Sequence, residues 1–285
     1  MKLILTSVLS GLLFAASSSA DLVVTLTGSE PEGGAVKISK PVKGQTSSTS
    51  VRFKSNKAEG ETDRDFGQTF TTGNEGFYLD SITLKLGTQP IAPSVFGARV
   101  SVQLFEVSGN AVVNDNGTKT GKVADWCDDP RVDDFIEGEA YTSIGLARSG
   151  QMPAFLKPSQ LVVLNFRAVD RVKLKPKTQY GFLFMFDESA QDRAVAFATN
   201  YWSDYAGGHA IRRDGVIPAD MEERAAKQPT TKAGTKSDVY SDAIFWIEGS
   251  DTVPERANAD TDSNEQGVTT ASTVQASGPL PLPGK

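Results

Sequence analysis

The chain of 285 residues contains a single cysteine, Cys127, and a single histidine, His209. One cysteine cannot close a disulfide within the chain, so packing of apolar side chains has to stabilise the fold. One histidine cannot supply the several imidazoles of a typical catalytic zinc site. A Ser-His-Asp or Cys-His arrangement would have to use His209, and no serine stands in a G-x-S-x-G motif.

The chain also lacks an excess of basic residues and a second long apolar run. It carries 29 Lys and Arg against 35 Asp and Glu, a net charge of −6. A nucleic-acid partner would require a basic surface, so we expect none. After the first 20 residues, no apolar stretch approaches the length of about 20 residues that spans a membrane. We therefore expect no integral membrane segment once the N-terminal signal is removed.

Residues 1–20 are typical of a secretory signal peptide. Lys2 supplies the charged start, residues 3–15 the apolar run, and Ser-Ser-Ala at 18–20 a cleavage site of small residues. We expect a secreted or cell-surface protein, periplasmic or extracellular. Export without internal disulfides is more typical of a bacterium than of an animal.

The remaining chain divides by composition into three parts. Residues 21–49 begin with DLVVTLTG, which predicts an edge strand, and continue as a loop rich in Gly, Ser and Lys. Residues 50–249 have the size of one all-β domain. Residues 250–285 have no aromatic side chain and few aliphatic ones, so they cannot bury enough apolar surface to become ordered. We predict a disordered C-terminal tail there.

Residues 50–249 show repeated strand patterns. In YLDSITLKLG, the side chains of Ile82, Leu84 and Leu86 share one face, which is the period-two alternation of a half-buried strand. RVSVQLFEV repeats this alternation, and further apolar runs of strand length are LVVLNF, YGFLFMF, VAFAT and DAIFWIEG. One short helix is predicted within residues 217–228, before the last strand. Short strands without regularly alternating helices predict an all-β, two-sheet antiparallel sandwich, and a jelly roll is the favoured topology.

The order of several motifs resembles a known family. FGQTFTTGNEGFYLDSITLKLG is followed by RVSVQLFEV, LKPKTQYGFLFMFD, YAGGHAIRRDG and SDAIFWIEG. This series is similar to the exported bacterial choice-of-anchor domains that are often found in PEP-CTERM-sorted proteins. The resemblance implies a jelly roll related to carbohydrate-binding modules, most of which have no assigned activity. The family commonly ends in a Pro-Glu-Pro motif, an apolar helix and a basic tail, whereas this chain ends in PLPLPGK.

The stretch NYWSDYAGGHAIRRDG, residues 200–215, is the best candidate for a ligand-binding site. A sugar is held by aromatic rings against its C–H faces and by planar polar groups that bond its hydroxyls. The candidate residues are Trp202, Asp204, Tyr205, His209 and Arg212. Because neighbouring strand residues point to opposite faces, only some of them can share a surface. The alternative is a strand–turn–strand hairpin whose aromatic residues cap the end of the sandwich.

No cofactor is expected, although two acidic loops carry the oxygen ligands that calcium prefers. These are residues 114–118, NDNGT, and 125–134, DWCDDPRVDD, and neither matches an EF-hand loop. A solvated acidic loop is the alternative interpretation for both. Glu137 and Glu139 share one face if FIEGEAY is extended, and we predict them to be solvated charges.

The sequence thus favours an exported, non-catalytic β-sandwich module that binds a glycan or a cell-surface polymer. The first alternative is a structural or adhesive surface protein that has no small-ligand site. The second is a carboxylate-dependent glycoside hydrolase, for which the sequence identifies no catalytic pair.

Overall fold

A computed structural model describes residues 22–42, 46–114, 135–166, 171–201, 205–230 and 241–252. Several features predicted from the sequence lie outside these ranges. They are the signal peptide, Cys127, Trp202 and Asp204, nearly all of both acidic loops, and the tail from residue 253 onward.

The described chain is built mainly from β-strands. In chain order they are β1 (Leu22–Thr27), β2 (Val36–Lys40), β3 (Thr46–Arg52), β4 (Asp63–Thr71), β5 (Phe77–Lys85), β6 (Arg99–Asn114), β7 (Phe135–Gln151), β8 (Leu161–Phe166), β9 (Lys173–Leu174), β10 (Gln179–Phe186), β11 (Ala194–Tyr201), β12 (Ala210–Gly215), β13 (Ser241–Ala243) and β14 (Phe245–Ser250). A helix, α1 (Met221–Ala226), lies between β12 and β13. No helix in the described ranges is long and apolar enough to cross a membrane.

The strands form two antiparallel sheets. The smaller sheet has the order β1-β8-β5-β14-β2, with β9 added to β5, and the larger has the order β13-β11-β3-β4-β10-β6-β7, with β12 added to β4. Eight of these strands, β2, β4, β5, β6, β7, β8, β10 and β14, can be numbered 1 to 8 in chain order. They are then ordered 1-8-3-6 in one sheet and 2-7-4-5 in the other, which is the strand order of a jelly roll. The predicted all-β sandwich is confirmed.

The main core lies between the two sheets, where the predicted faces meet. Ile82, Leu84 and Leu86 are fully buried, as the alternation along β5 predicts. The larger sheet contributes Phe182, Phe184 and other aromatic side chains from β10 and its neighbours. β10 is buried on both faces along almost its whole length. Its continuous apolar run reflects the burial of its outer face beneath other parts of the chain.

Two details of the predicted strand set are wrong. Residues 29–49 were expected to form a loop after the edge strand, but they contain β2 and most of β3. β1 does lie at a sheet edge, paired with β8 alone. The last predicted strand, DAIFWIEG, is divided at Ile244 into β13 of the larger sheet and β14 of the smaller one. β2 and β3 carry few apolar residues, so their sequences do not show the apolar alternation of a strand. β2 pairs with β14 and β3 pairs mainly with β11, both more than 100 residues away.

A second apolar layer covers the outer face of the larger sheet. Phe105, Leu183 and Ile211 belong to a cluster on this face, separate from the main core, and α1 packs against it through Met221 and Ala225. The predicted short helix within residues 217–228 is confirmed. Buried groups in this layer come from strands that are distant in sequence, and most of the polar residues of interest lie there.

The N-terminus of α1 is capped by Asp220, whose carboxylate accepts hydrogen bonds from the backbone N–H groups of Glu222 and Glu223. We expect Asp220→Ala to lower the free energy of unfolding by about 1 kcal/mol, because two helical N–H groups lose their acceptor. Urea denaturation followed by circular dichroism measures this loss. An unchanged midpoint would show that α1 is held by packing alone.

Candidate functional site

The candidate stretch of residues 200–215 does not form the predicted hairpin. β11 pairs with β3 and β13, whereas β12 pairs with β4. The two strands are therefore separate members of the larger sheet with different partner strands. Gly207 and Gly208 precede β12, and a Cβ on Gly208 would lie 2.1 Å from the backbone oxygen of Thr69.

Tyr205 packs against the main core. Its ring meets the ring of Phe245 edge-on, with the centroids 5.6 Å apart and the planes at 86°. Burial, together with the nearby Asp242 carboxylate, raises the pKa of the Tyr205 phenol. Tyr205 therefore belongs to the packing around the main core. Trp202 and Asp204 lie outside the described residues.

His209 is buried immediately before β12, with 5% of its surface exposed. Its backbone N–H donates to Oγ1 of Thr69 at 2.8 Å, which fixes the residue against β4. Its ring nitrogens lie 2.9 Å from Oε2 of Glu139 and 3.1 Å from the carbonyl oxygen of Ala210. Both positions of the imidazole are thus engaged by groups of the protein itself.

Glu139 is the partner of this histidine and not the solvated charge that the sequence predicted. Its side chain is only 3% exposed, and Oε2 accepts a 2.6 Å hydrogen bond from the hydroxyl of Tyr141. Oε1 accepts a 3.0 Å bond from the amide of Gln179. Burial by itself would raise the pKa of Glu139, but the bonds and charge of His209, with the bonds from Tyr141 and Gln179, outweigh it and lower that pKa. Glu137, in contrast, is exposed.

Arg212 and Arg213 are both buried, with 4% and 3% of their surfaces exposed. Arg212 lies 3.4 Å from Oδ2 of Asp214, and its backbone bonds to Thr230. Arg213 donates to Oδ2 of Asp65 at 3.0 Å. The sequence predicted opposite directions for the two side chains. It did not predict that chain segments cover both of them.

Asp65 is the centre of a second polar cluster beneath α1. This fully buried carboxylate pairs with the guanidinium groups of Arg213 and Arg224. Arg224 also donates to the carbonyl oxygen of Phe186 at 2.6 Å, and its guanidinium lies 4.8 Å from the ring centroid of Phe53. Gln103 accepts a further bond from Arg213 at 2.8 Å. Two cations face one anion in this cluster. Neutral oxygens of Gln103 and Phe186 therefore accept hydrogen bonds that Asp65 does not accept.

A surface that the sequence did not indicate lies on the loops before β6 and after β7. Phe155 is 64% exposed, and its ring centroid lies 6.3 Å from that of the half-buried Phe96. The ammonium group of Lys157 lies 5.6 Å from the centroid of the Phe155 ring. We call these three residues the Phe155 surface. The only local signal is an aromatic residue between two prolines in QMPAFLKPSQ.

Two clefts open elsewhere on the described surface. One of about 350 Å³ is lined by the carboxylate residues Glu30, Glu32 and Glu248, and its described lining includes no aromatic ring. The other, of about 360 Å³, lies at residues 73–77 beside the Lys37–Asp251 ion pair. Within the described ranges, no three His, Cys, Asp or Glu side chains are grouped closely enough to bind a metal ion. No residue of the predicted site is among the described residues that line either cleft.

Comparison of the chain with protein-family models, curated proteins and solved structures found no match. The resemblance to choice-of-anchor domains therefore remains a prediction from the motifs. The candidate functions rest on the geometry of the chain itself.

Proposed function

We propose that this protein is an exported, non-catalytic binding module whose ligand is a glycan or a cell-surface polymer, and that the Phe155 surface contacts this ligand. The observation that carries the proposal is the exposure of Phe155. Most large apolar side chains of the described sandwich are buried, whereas this ring presents 64% of its surface to solvent.

The chemistry of the Phe155 surface fits a polymer of sugars. An exposed aromatic face can stack on the apolar C–H face of a pyranose ring. Lys157, beside the same ring, can donate hydrogen bonds to hydroxyl or acidic groups of the sugar. The surface lies on loops carried by a rigid sandwich, which is a common place for binding residues.

The alternative is a structural or adhesive surface protein without a small-ligand site. The placement of Tyr205, His209 and Arg212 favours it, because all three make contacts that hold the fold together. In this alternative the exposed ring contributes nothing to binding.

We expect Phe155→Ala to reduce retention on an insoluble polysaccharide at least tenfold, because the stacking face is lost. A pull-down against a panel of purified glycans and cell-wall polymers measures retention. Val216→Ala is the control, since Val216 is also an exposed apolar residue, at 87%, and follows β12 instead of belonging to the loops of the Phe155 surface. The control should bind as the unmodified protein does.

Trp202→Ala separates the two locations of the site. If this variant loses binding while Phe155→Ala retains it, the ligand is held by the stretch at residues 200–215, and the assignment of the binding site to the Phe155 surface is wrong. If the unmodified protein binds no polymer in the panel, the binding module is rejected in favour of the structural protein.

A further inference from the structure

The two loops that carry the Phe155 surface contain no acidic residue. Residues 86–99 have the sequence LGTQPIAPSVFGAR and residues 151–160 have the sequence QMPAFLKPSQ, with one arginine, one lysine and no Asp or Glu between them. The whole chain, in contrast, has 35 acidic residues against 29 basic ones. The loops that present the exposed ring are therefore free of carboxylate side chains in an otherwise acidic protein.

The second loop directs Phe155 and Lys157 to solvent together. Leu156, which stands between them, is buried in the main core with 4% of its surface exposed, whereas both of its neighbours are exposed. The Nζ atom of Lys157 lies 5.6 Å from the centroid of the Phe155 ring. Burial of Leu156 thus anchors the segment, and an aromatic ring and a cation lie side by side on its solvent side.

Hydrogen bonds hold the two loops in place. The backbone N–H of Met152 donates to the carbonyl oxygen of Ala98 at 2.9 Å, which joins one loop to the other. The backbone N–H of Lys157 donates to Oε1 of Gln160 at 2.7 Å, and the carbonyl oxygen of Gln160 accepts from the N–H of Leu86, just after β5, at 2.8 Å. A ligand that contacts this surface therefore meets a backbone that is already ordered, which lowers the entropic cost of binding.

Lys157 differs from other lysines of the surface in having no carboxylate partner. Lys54 and Lys175 lie 2.7 Å and 2.8 Å from a glutamate oxygen. Arg99, the other cation of the two loops, is paired with Glu188. Lys157 forms no ion pair with any residue in the described ranges. An anion that binds beside Phe155 has only the contact of the ammonium with the ring to replace, and such a contact is weak at an exposed site.

We propose that the ligand of the Phe155 surface is an acidic polysaccharide that contains uronic acids, and that Lys157 binds a carboxylate of the sugar on which Phe155 stacks. This inference rests on the proposed function, because it names the class of glycan that the same surface binds. A uronic acid carries its carboxylate at the rim of the pyranose ring, where the ammonium group beside the aromatic ring can meet it. The resulting hydrogen bond is charge-assisted and stronger than a bond to a neutral hydroxyl.

The charge of the protein makes this contact selective. The net charge of −6 repels an acidic polymer from most of the surface. The repulsion is weaker at loops that carry no carboxylate, so the polymer is directed to the exposed ring. Because salt screens exposed charges, binding of an acidic polymer should weaken as the ionic strength rises.

The test compares polygalacturonate with its methyl ester, which differ in the charge of the carboxyl group. We expect the unmodified protein to bind polygalacturonate about tenfold more tightly than the ester, the effect of one hydrogen bond to a charged group. Lys157→Gln should bind both forms with the affinity of the ester, and Phe155→Ala should weaken the binding of both. Isothermal titration calorimetry in EDTA measures these affinities without bridging of carboxylates by divalent cations.

Lys173→Gln is the matched control, since Nζ of Lys173 also lies beside an aromatic ring, 5.5 Å from the centroid of Tyr78. Tyr78 stands near the start of β5, whereas the loop of Phe155 bonds the chain just after the end of β5. The control therefore removes the same charge from a similar contact at the other end of this strand. Lys173→Gln should keep the preference for polygalacturonate.

The outcomes separate the class of glycan from the binding function. If the ester binds as tightly as polygalacturonate and Phe155→Ala weakens both, the acidic class is overturned and the binding module stands. An unchanged preference in Lys157→Gln, or an equal loss in Lys157→Gln and Lys173→Gln, also overturns the role of Lys157. If neither form binds while Phe155 retains a neutral glycan, the acidic class is overturned. If no polymer binds at all, the binding module is rejected together with it.

Discussion

We expect Asp65→Ala to lower the free energy of unfolding by about 3–5 kcal/mol, because it leaves the buried guanidinium groups of Arg213 and Arg224 without an anionic partner. Asp65 is fully buried, and it accepts from Nη1 of Arg213 at 3.0 Å and from Nε of Arg224 at 3.1 Å. Urea denaturation followed by circular dichroism measures the loss.

The matched control removes a carboxylate from an exposed ion pair. Glu188 bonds Arg99 at the surface, where the two side chains are 55% and 62% exposed. Glu188→Gln should change the free energy of unfolding by less than about 1 kcal/mol, because solvent screens such pairs. If Asp65→Ala also costs less than about 1 kcal/mol, the cluster does not hold α1 to the sheet.

A loss of about 3–5 kcal/mol is also expected for Phe184→Ala, here through the main core. Phe184 is completely buried and lies edge-on to Phe197, with the ring centroids 5.0 Å apart, and to Phe186, at 5.7 Å. Truncation removes the ring from between the two sheets and leaves a cavity that stiff strands cannot collapse. The midpoint of urea or thermal unfolding reports the change.

Phe155→Ala is the control for this prediction, since it makes the same substitution at an exposed site. We expect it to change stability by less than about 0.5 kcal/mol. This control also serves the binding experiment, because it separates a lost ligand contact from a lost fold. Equal destabilisation by both variants would contradict the assignment of Phe155 to the surface.

Much of the fold was predictable because strand alternation is a local property. The core faces of β5 and β6, the buried runs of β8 and β10, and the helix α1 all lie where the sequence placed them. The pairing partners of the strands were harder to predict. β2 and β3 carry few apolar residues, and the split of the last strand at Ile244 depends on two sheets that it joins.

The candidate site was harder to predict, because residue type does not reveal exposure. Tyr205, His209 and Arg212 have the chemistry of ligand-binding groups, yet each is used within the fold. Glu139 has the sequence pattern of a surface charge, and only the folded chain places it 2.9 Å from His209. The exposure of Phe155 could not be predicted from the sequence, because a single aromatic residue in a loop belongs to no periodic pattern.

The amino-acid sequence by itself determined the all-β fold class, most of the strands and their buried faces, because alternation, turn residues and composition act over short distances. The tertiary structure alone decided which polar residues are paired and which aromatic ring is exposed. Those outcomes depend on contacts such as His209 with Glu139, 70 residues apart, and Arg224 with Asp65, 159 residues apart. A buried charged side chain needs a partner within the protein and so stabilises the fold. Which side chains are buried is determined only when the chain folds.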